Sequence, residues 1–350
     1  MALDQMMPII LNSDFEKIAE IDDYISFIWT RRYYKAGDFE LCVDISKSEF
    51  LKIGNFVQRP GDLEAMIIEK VEIQRTDEAS EMIIASGREA CSILDRRVIS
   101  TQNQITGRVL DGIIQLIDDN VNNPAIEARK IPYFVFAVIS TSTAEIDAQY
   151  LGENLFDTIC SLCETFSIGF RSRVYRQYPT LQMDFFDGKD RSVGQSENER
   201  VIFSDEFDNL TNCDYVKSIE NYATDVLVGG EGGGTGRTMV WSAKDSKSGY
   251  ERFEKFLDAS NAVSNDHIIT QETYEKQLEG LGLAEVTEYT TAFSGEVNFD
   301  SVNFGIDVEV GDIVTIENKK WGMYVNTRIL EVIESVGEDG AYSIIPTFGT

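Results

Sequence analysis

Two short stretches carry residue types that chemistry uses at close spacing. The first is LVGGEGGGTGRT, Leu227 to Thr238, whose six glycines lead into an arginine. A phosphate-cradling loop needs Gly, four residues, Gly, then Lys and Ser/Thr, because backbone amides wrap the phosphates while Lys and the hydroxyl hold charge and metal. With Gly236, Arg237 and Thr238 on the end of that pattern, Glu231 falls where the first glycine should be. A carboxylate there repels phosphate. The G-x-G-x-x-G pattern fails as well: the run from Gly230 ends on Thr235 and the run from Gly232 ends on Arg237. Both flanks, ATDVLV and RTMVWS, read as strands, whereas a phosphate loop opens a helix. The stretch is expected to be a hairpin tip.

The second is Cys160-x-x-Cys163. A redox pair sits at a helix N-terminus, where the dipole lowers the thiol pKa. These two lie mid-helix with Phe156 on an apolar face, and Cys42, Cys91 and Cys213 are too isolated to complete a zinc set. Core cysteines are expected. The one histidine, His267, stands in a polar stretch without a G-x-S-x-G elbow and reads as an ordinary exposed residue. Sixty Asp and Glu residues leave no pair standing out for glycoside hydrolysis. No residue takes a catalytic, cofactor-binding or metal-binding role, no cofactor is expected, and the chain reads as a non-enzyme.

The elements around these stretches change character along the chain. Composition is that of a globular protein, and 350 residues suffice for two to four units with their own cores. The net charge of -29 argues against tight binding to nucleic acid or to an anionic membrane, and permits a surface past which nucleic acid moves without sticking. No signal peptide precedes the first residues and no apolar run is long enough to span a membrane, so no membrane anchor is expected. Five cysteines, an odd number, fit a reducing cytoplasm.

Residues 1–100 read as β. In DFELCVDIS, strict alternation puts Phe39, Leu41, Val43 and Ile45 on one face. The stretch SFIWTRRYYKAGDFEL reads as a strand with Ile25, Phe27 and Trp29 inward and Arg31 toward solvent or a partner chain, turning at Gly37-Asp38. Residues 101–200 read as α/β. Leu110, Ile113, Ile114, Ile117 and Val121 recur at helical spacing, as do Leu155, Ile159, Leu162 and Phe166. Strands return over 201–240 and 285–350, around a polar, helix-compatible insertion, 241–284. Its last helix is expected to start at a Thr270 cap and to turn Tyr274, Leu278 and Leu281 inward.

An internal repeat links the two ends. LKIGNFV (51–57) matches VEVGDIV (308–314), IIEKVE (67–72) matches ILEVIE (329–334), and EMIIASG (81–87) matches YSIIPTFG (342–349). Three segments in one order predict two related β units.

The stretches PIILNSDFEKIAEIDDYISFIWTRRYYKAGDFEL, AMIIEKVEIQ, IIASGREACSILDRRVI and VGDIVTIENKKWGMYVNTRILEVIESVGEDGAYSIIPTFG resemble the tail-tip hub (virus tail protein) family of siphophages and prophages of Gram-positive bacteria. The family's hubs are similar to myophage baseplate hubs. The resemblance spans the whole chain, including VLVGGEGGGTGR, which resembles the family's hairpin tip. It implies an α+β, mainly β fold with two tail-tube-like β-barrels, over 1–100 and over 201–240 with 285–350. It implies a homotrimer whose six barrels form a ring, adapting a six-fold tail tube to a three-fold tip. The partners implied are tail tube and distal tail proteins, tip or fibre proteins, the tape measure protein, and DNA passing through the channel without specific binding. Localisation would be the virion tail tip, after synthesis in the host cytoplasm. Many relatives continue into a lysin or fibre-binding domain; an end at IIPTFG implies no cell-wall hydrolase in cis. The alternatives are a cell-wall hydrolase or peptidase of a tail tip, and a carbohydrate-binding adhesin. If a ring encloses DNA, its lining should be rich in Asp and Glu and poor in Lys and Arg.

Overall fold

The structure, a computed structural model, describes residues 6–75, 81–220, 222–260, 271–287, 290–297, 302–318 and 320–349. The expected Thr270 cap and His267 lie outside the described residues. The chain divides into two compact units, one of Met1–Cys213 with Ser294–Gly349 and one of Asp214–Phe293.

The first unit opens with β1 (Ile9–Leu11), β2 (Lys17–Glu20), β3 (Tyr24–Arg32), β4 (Asp38–Asp44), β5 (Phe56–Gln58), β6 (Ala65–Arg75) and β7 (Glu81–Glu89). Then come β8 (Asn103–Arg108), β9 (Phe134–Val138), β10 (Glu145–Tyr150), β11 (Gly169–Tyr175), β12 (Thr180–Phe186) and β13 (Ile202–Ser204). The chain passes into the second unit within β14 (Leu210–Ser218), continues through β15 (Asp225–Gly229), β16 (Met239–Ala243) and β17 (Glu254–Asp258), and returns within β18 (Thr290–Val297). It closes the first unit with β19 (Ile313–Asn318), β20 (Met323–Val336) and β21 (Tyr342–Gly349).

One sheet carries both ends of the sequence, with β21, β20, β3, β4, β7, β6, β5, β1 and β2 side by side and β19 pairing β20. The path ends openly at β2, and no closed barrel forms among the described residues. Alternation explains its core. Phe27, Trp29, Phe39, Leu41 and Val43 are fully or nearly fully buried and cluster with Ile68, Ile83 and Val336. A register shift between Tyr24 and Ser26 breaks the alternation, so Ile25 is half-buried rather than inward. Ile45 leaves the strand for a short 3-10 turn.

The repeat is present as hydrogen bonds. Gly54 N–H donates to the Ile68 carbonyl at 2.9 Å and Ile68 N–H to Asn55 at 2.8 Å. Gly311 N–H donates to Ile329 at 2.8 Å and Ile329 N–H to Asp312 at 2.9 Å. Both glycines hold left-handed backbone, φ 91° and 96°, which a residue with a Cβ adopts at a cost. The hairpins then run in step. Ile68 faces Gly87, the register slips before Lys70, and the ladder ends at Arg75 and Glu81. Ile329 faces Phe348, the register slips before Glu331, and the ladder ends at Val336 and Tyr342. Ile329 is therefore the counterpart of Ile68, one residue from the sequence match that set it on Ile67. Fixed bulges, rather than side-chain similarity, set the true register.

In the α/β part, β11, β12 and β9 form a three-stranded sheet in which β9 runs parallel to β12. The helices Val109–Ile117 and Leu155–Thr165 share its hydrophobic core. Leu110, Ile113, Ile117 and Val121 are fully buried, as are Leu155 and Ile159, with Leu162 nearly so. Ile114 and Phe166 are half-buried. Asn154 caps the second helix, accepting from the N–H groups of Phe156 and Asp157, which satisfies two of the helix's open donors.

The second unit is a sheet of β16, β15 and β17 packed with the helix Gln271–Glu285. Within the stretch read as a helical insertion, EKFLD joins β15 as a parallel strand, and among the described residues the α-helix is confined to Gln271–Glu285. The helix buries Leu278 and Gly282, with Tyr274 half-buried. Leu281, expected inward, is exposed: the buried positions recur at i, i+4 and i+8, and Leu281 lies off that line.

Candidate functional site

The Gly-rich stretch is a hairpin tip between antiparallel β15 and β16, as expected. Arg237 does not face outward as a phosphate ligand. Its guanidinium donates back to the carbonyls of Gly230 (2.9 Å) and Gly229 (2.8 Å), pairs with Asp258 at 2.5 Å and lies over the Phe256 ring. The loop is closed on its own arginine.

Cys160 and Cys163 lie in the helix core. Burial pushes the Cys160 thiol up to about 12 and raises Cys163 as well. That is the reverse of an activated redox pair. Cys42 and Cys91 are buried and free, and among the described residues no group of His, Cys, Asp and Glu has the geometry to hold a metal ion.

The concentrated chemistry lies elsewhere, where the repeat's second hairpin meets β3. Arg31 on β3, read as turned to solvent or a partner, points into a charge cluster instead. It bonds Asp62 at 2.6 Å, and also Glu64 and Glu334. Arg59 bonds Glu334 at 3.0 Å and Asp62 at 3.1 Å while lying over the Trp29 ring, 5.0 Å from its centroid. The Tyr342 hydroxyl donates to Glu334 at 2.9 Å. Arg59 and Glu334 are nearly fully buried. Pairing places Glu334 directly opposite Trp29.

Two guanidiniums thus face three carboxylates. Burial pushes Asp62 and Glu334 up, but Arg31 and Arg59 outweigh it and hold both below the usual carboxylate range. Burial prevails at Glu64, which is raised. Arg31 is held charged above its ordinary value against its own burial, by Glu64, Glu334 and Asp62. A general acid or base needs an uncommitted proton site open to substrate. These carboxylates are instead bound as partners to arginine, and their role is to fix β3, the 59–64 turn and β20 together.

Glu89 and Tyr33 fasten the α/β part to the same sheet. Glu89, at the end of β7, accepts from the Ser172 N–H, from the Ser172 hydroxyl at 3.2 Å and from Gly37 N–H at 3.3 Å. Among the described residues no cation pairs with it, and burial, with the Glu64 charge, pushes its carboxyl up to about 8. The fully buried Tyr33 ring has Arg328 over it at 5.0 Å. Its hydroxyl accepts from Gly188 N–H at 2.9 Å, and Phe170 N–H donates to its carbonyl at 3.1 Å. On β12, fully buried Asp184 is held by Arg173 at 3.2 Å and Arg171 at 3.6 Å.

Sequence reading missed Arg59, Glu89 and Glu334. The one signal available was a charged residue at an inward position of an otherwise apolar strand, as with Glu334 in ILEVIESV. In a chain with 60 acids that signal is faint.

The fold is that of phage tail proteins. It is similar to the tail protein from Neisseria meningitidis MC58, with TM-score 0.60 and 13% identity over 98% of this chain and 96% of that one. It is similar to prophage tail protein gp18 from Listeria monocytogenes EGD-e, with TM-score 0.57 and 12% identity over 98% and 94%. It is also similar to the 43 kDa tail protein of prophage MuSo2 from Shewanella oneidensis, with TM-score 0.60 and 12% identity over 98% and 97%. The family described as Siphovirus ReqiPepy6 Gp37-like protein matches residues 8–350, and the chain belongs to it. It is a structural protein of bacteriophage tails. No curated protein matches the sequence.

Proposed function

We propose that this chain is the hub of a tail tip or baseplate: a non-enzymatic homotrimer whose two related β units per chain compose a six-membered ring. The ring adapts the six-fold tail tube to a three-fold tip. Its neighbours are tail tube and distal tail proteins above, tip or fibre proteins below, and the tape measure protein within until DNA passes. The units span 1–100 and 201–240 with 285–350, separated by the α/β domain 101–200 and the insertion 241–284.

The observation that carries this reading is the duplicated hydrogen-bond register. Two hairpins per chain share the same left-handed glycine and the same bulge, and three chains would carry six such hairpins. The net charge of -29 supports the conduit role, since an acidic lining repels the DNA phosphates that a basic one would retain.

Electron cryo-microscopy of tails carrying this chain tests the reading. Three copies around the axis, with the duplicated hairpins in six equivalent places, are expected. One copy or six copies per tail would refute the hub. Loss of cell-wall turbidity on adding purified protein would favour a hydrolase instead, and saccharide binding on a glycan array would favour an adhesin.

A further inference from the structure

The strands of the large sheet repeat one pattern. Along its path β14, β18, β21 and β20 are followed directly by β3, β4, β7 and β6. Each quartet ends in the duplicated hairpin, taken in the same order, β21 before β20 and β7 before β6. β14 and β3 therefore hold equivalent places at the head of a quartet, and β20 and β6 at its tail. Of β14 and β18, residues 210–213 and 294–297 lie in the first unit with the rest of this sheet. The quartets join where the tail β20 pairs antiparallel with the head β3, residues 331–336 against 27–32.

The other tail makes no such pairing. β5 covers β6 from Ala65 to Ile67, and Gly54 and Asn55 bond Ile68. In the same way β19 covers β20 from Met323 to Arg328, and Gly311 and Asp312 bond Ile329. Past that point β20 meets β3, whereas no main chain of another described residue meets β6 on that side. Tyr33 N–H donates to the Leu330 carbonyl at 3.0 Å, and alternation along the antiparallel ladder then turns the main chain of Val332, Glu334 and Val336 to β3. Their counterparts in the repeat are Val71, Ile73 and Arg75, whose outward N–H and C=O groups form an open row. Side chains agree. Val332, Glu334 and Val336 are buried, while Val71 is half-buried and Ile73, the counterpart of Glu334, is 64% exposed.

We propose that the edge of β6 from Val71 to Arg75 pairs with β14 of a second copy of this chain, repeating between chains the junction that β20 and β3 make within one. The occupant is read from the chain itself. The equivalent edge is seated on a head strand, and the head strand left with one neighbour among the described residues is β14. No described bond joins β6 to β14 within the chain, so the partner strand comes from another copy. Neither edge concentrates the chain's acidity: Lys70 and Arg75 balance Glu69 and Glu72 in β6, and Lys217 balances Asp214 in β14. The contact is heterologous, tail on head, and three copies close it into a ring where junctions within and between chains alternate. The inference rests on the homotrimer of the hub reading.

Hydrogen exchange, read at single amides by mass spectrometry, tests it on the isolated chain and on tails purified from particles. Val71, Ile73 and Arg75 amides should exchange fast in the monomeric chain and about 100-fold slower in tails. Fast exchange at these three in tails overturns the proposal. Slow exchange in the purified chain supports it if dilution to monomer abolishes the slowing, and overturns it if the slowing persists, because the edge is then covered from within. Amine cross-linking of tails assembled from mixed light and heavy-isotope copies identifies the occupant. A Lys70–Lys217 link between a light and a heavy copy is expected, and links from Lys70 to other tail proteins alone would overturn the pairing. Ile73→Pro removes an outward N–H, which an edge strand tolerates. It should leave melting of the monomer unchanged and cut incorporation into tails by an order of magnitude; normal incorporation overturns the proposal. The exchange comparison needs no variant and holds even if Ile73→Pro fails to fold. Copy number in the same tails reports separately on the hub: three copies with fast exchange at Val71, Ile73 and Arg75 would leave the hub standing without this junction.

Discussion

Gly311 makes room for Tyr33: a β carbon on the glycine would lie 2.3 Å from Cε2 of the tyrosine ring. Gly169 approaches the same ring, where a β carbon would fall 2.0 Å from Cε2. The ring that joins β3 to the α/β sheet is thus held between two glycines, one from each side of a long sequence gap.

The repeat supplies its own control for this contact. Gly54 has nearly the same backbone as Gly311, but a β carbon there meets nothing within 4 Å. Gly54→Ala should cost about 1–2 kcal/mol, from left-handed strain alone. Gly311→Ala should cost a further ~1–3 kcal/mol of overlap. Urea unfolding of the two variants measures the difference, and equal midpoints would show that Tyr33 yields freely.

Breaking the charge cluster at one member should be expensive. Glu334→Leu leaves Arg31 and Arg59 short of their buried partner, an expected loss of about 3–5 kcal/mol. Arg59→Met in the same background should recover part of it, since an uncompensated buried charge is removed. A double-mutant cycle by denaturant unfolding reads the coupling. Strict additivity would mean that the two side chains do not share their energy.

Glu89 should make stability fall as pH rises through the mildly acidic and neutral range. Its ordinary value of 4.5 is pushed up to about 8 in the folded chain by burial and by Glu64. Between those values the folded state holds a proton that the unfolded state has released. The contribution is fully present below 4.5 and lost as pH approaches 8. Facing groups are Glu64, Ser172, Gly37 and Cys91. Glu89→Gln should match the wild type at the acid end and exceed it in stability at the alkaline end. Parallel melting profiles across that range would refute the assignment.

The Cys160–Cys163 pair should be inert. Burial raises both thiols, so iodoacetamide at mildly alkaline pH should label neither in the folded chain and both after denaturation. A disulfide between them, formed by mild oxidation of the folded protein, would contradict the core role.

What the sequence settled by itself is what depends on neighbours along the chain. Alternation in DFELCVDIS buried Phe39, Leu41 and Val43, and the helical period buried Leu110, Ile113 and Ile117, because a side chain's direction follows from its own backbone period. The same locality exposed the Gly-rich loop as a hairpin tip, and the resemblance of ordered segments pointed to the tail family. Tertiary structure alone decided which distant partners meet. Arg59 and Glu334 are 275 residues apart, and no periodicity says that a buried arginine on one turn will find its carboxylate there. Arg31 stood on the face expected to be inward, yet its charge argued for solvent until three carboxylates from two other segments offset its burial. The repeat's register needed the bulges at Ile68 and Ile329, and the open edge of β6 needed the order of strands in its sheet. Hydrogen-bond pairing between strands is a property of the folded arrangement, and a sequence specifies it only through the whole chain at once.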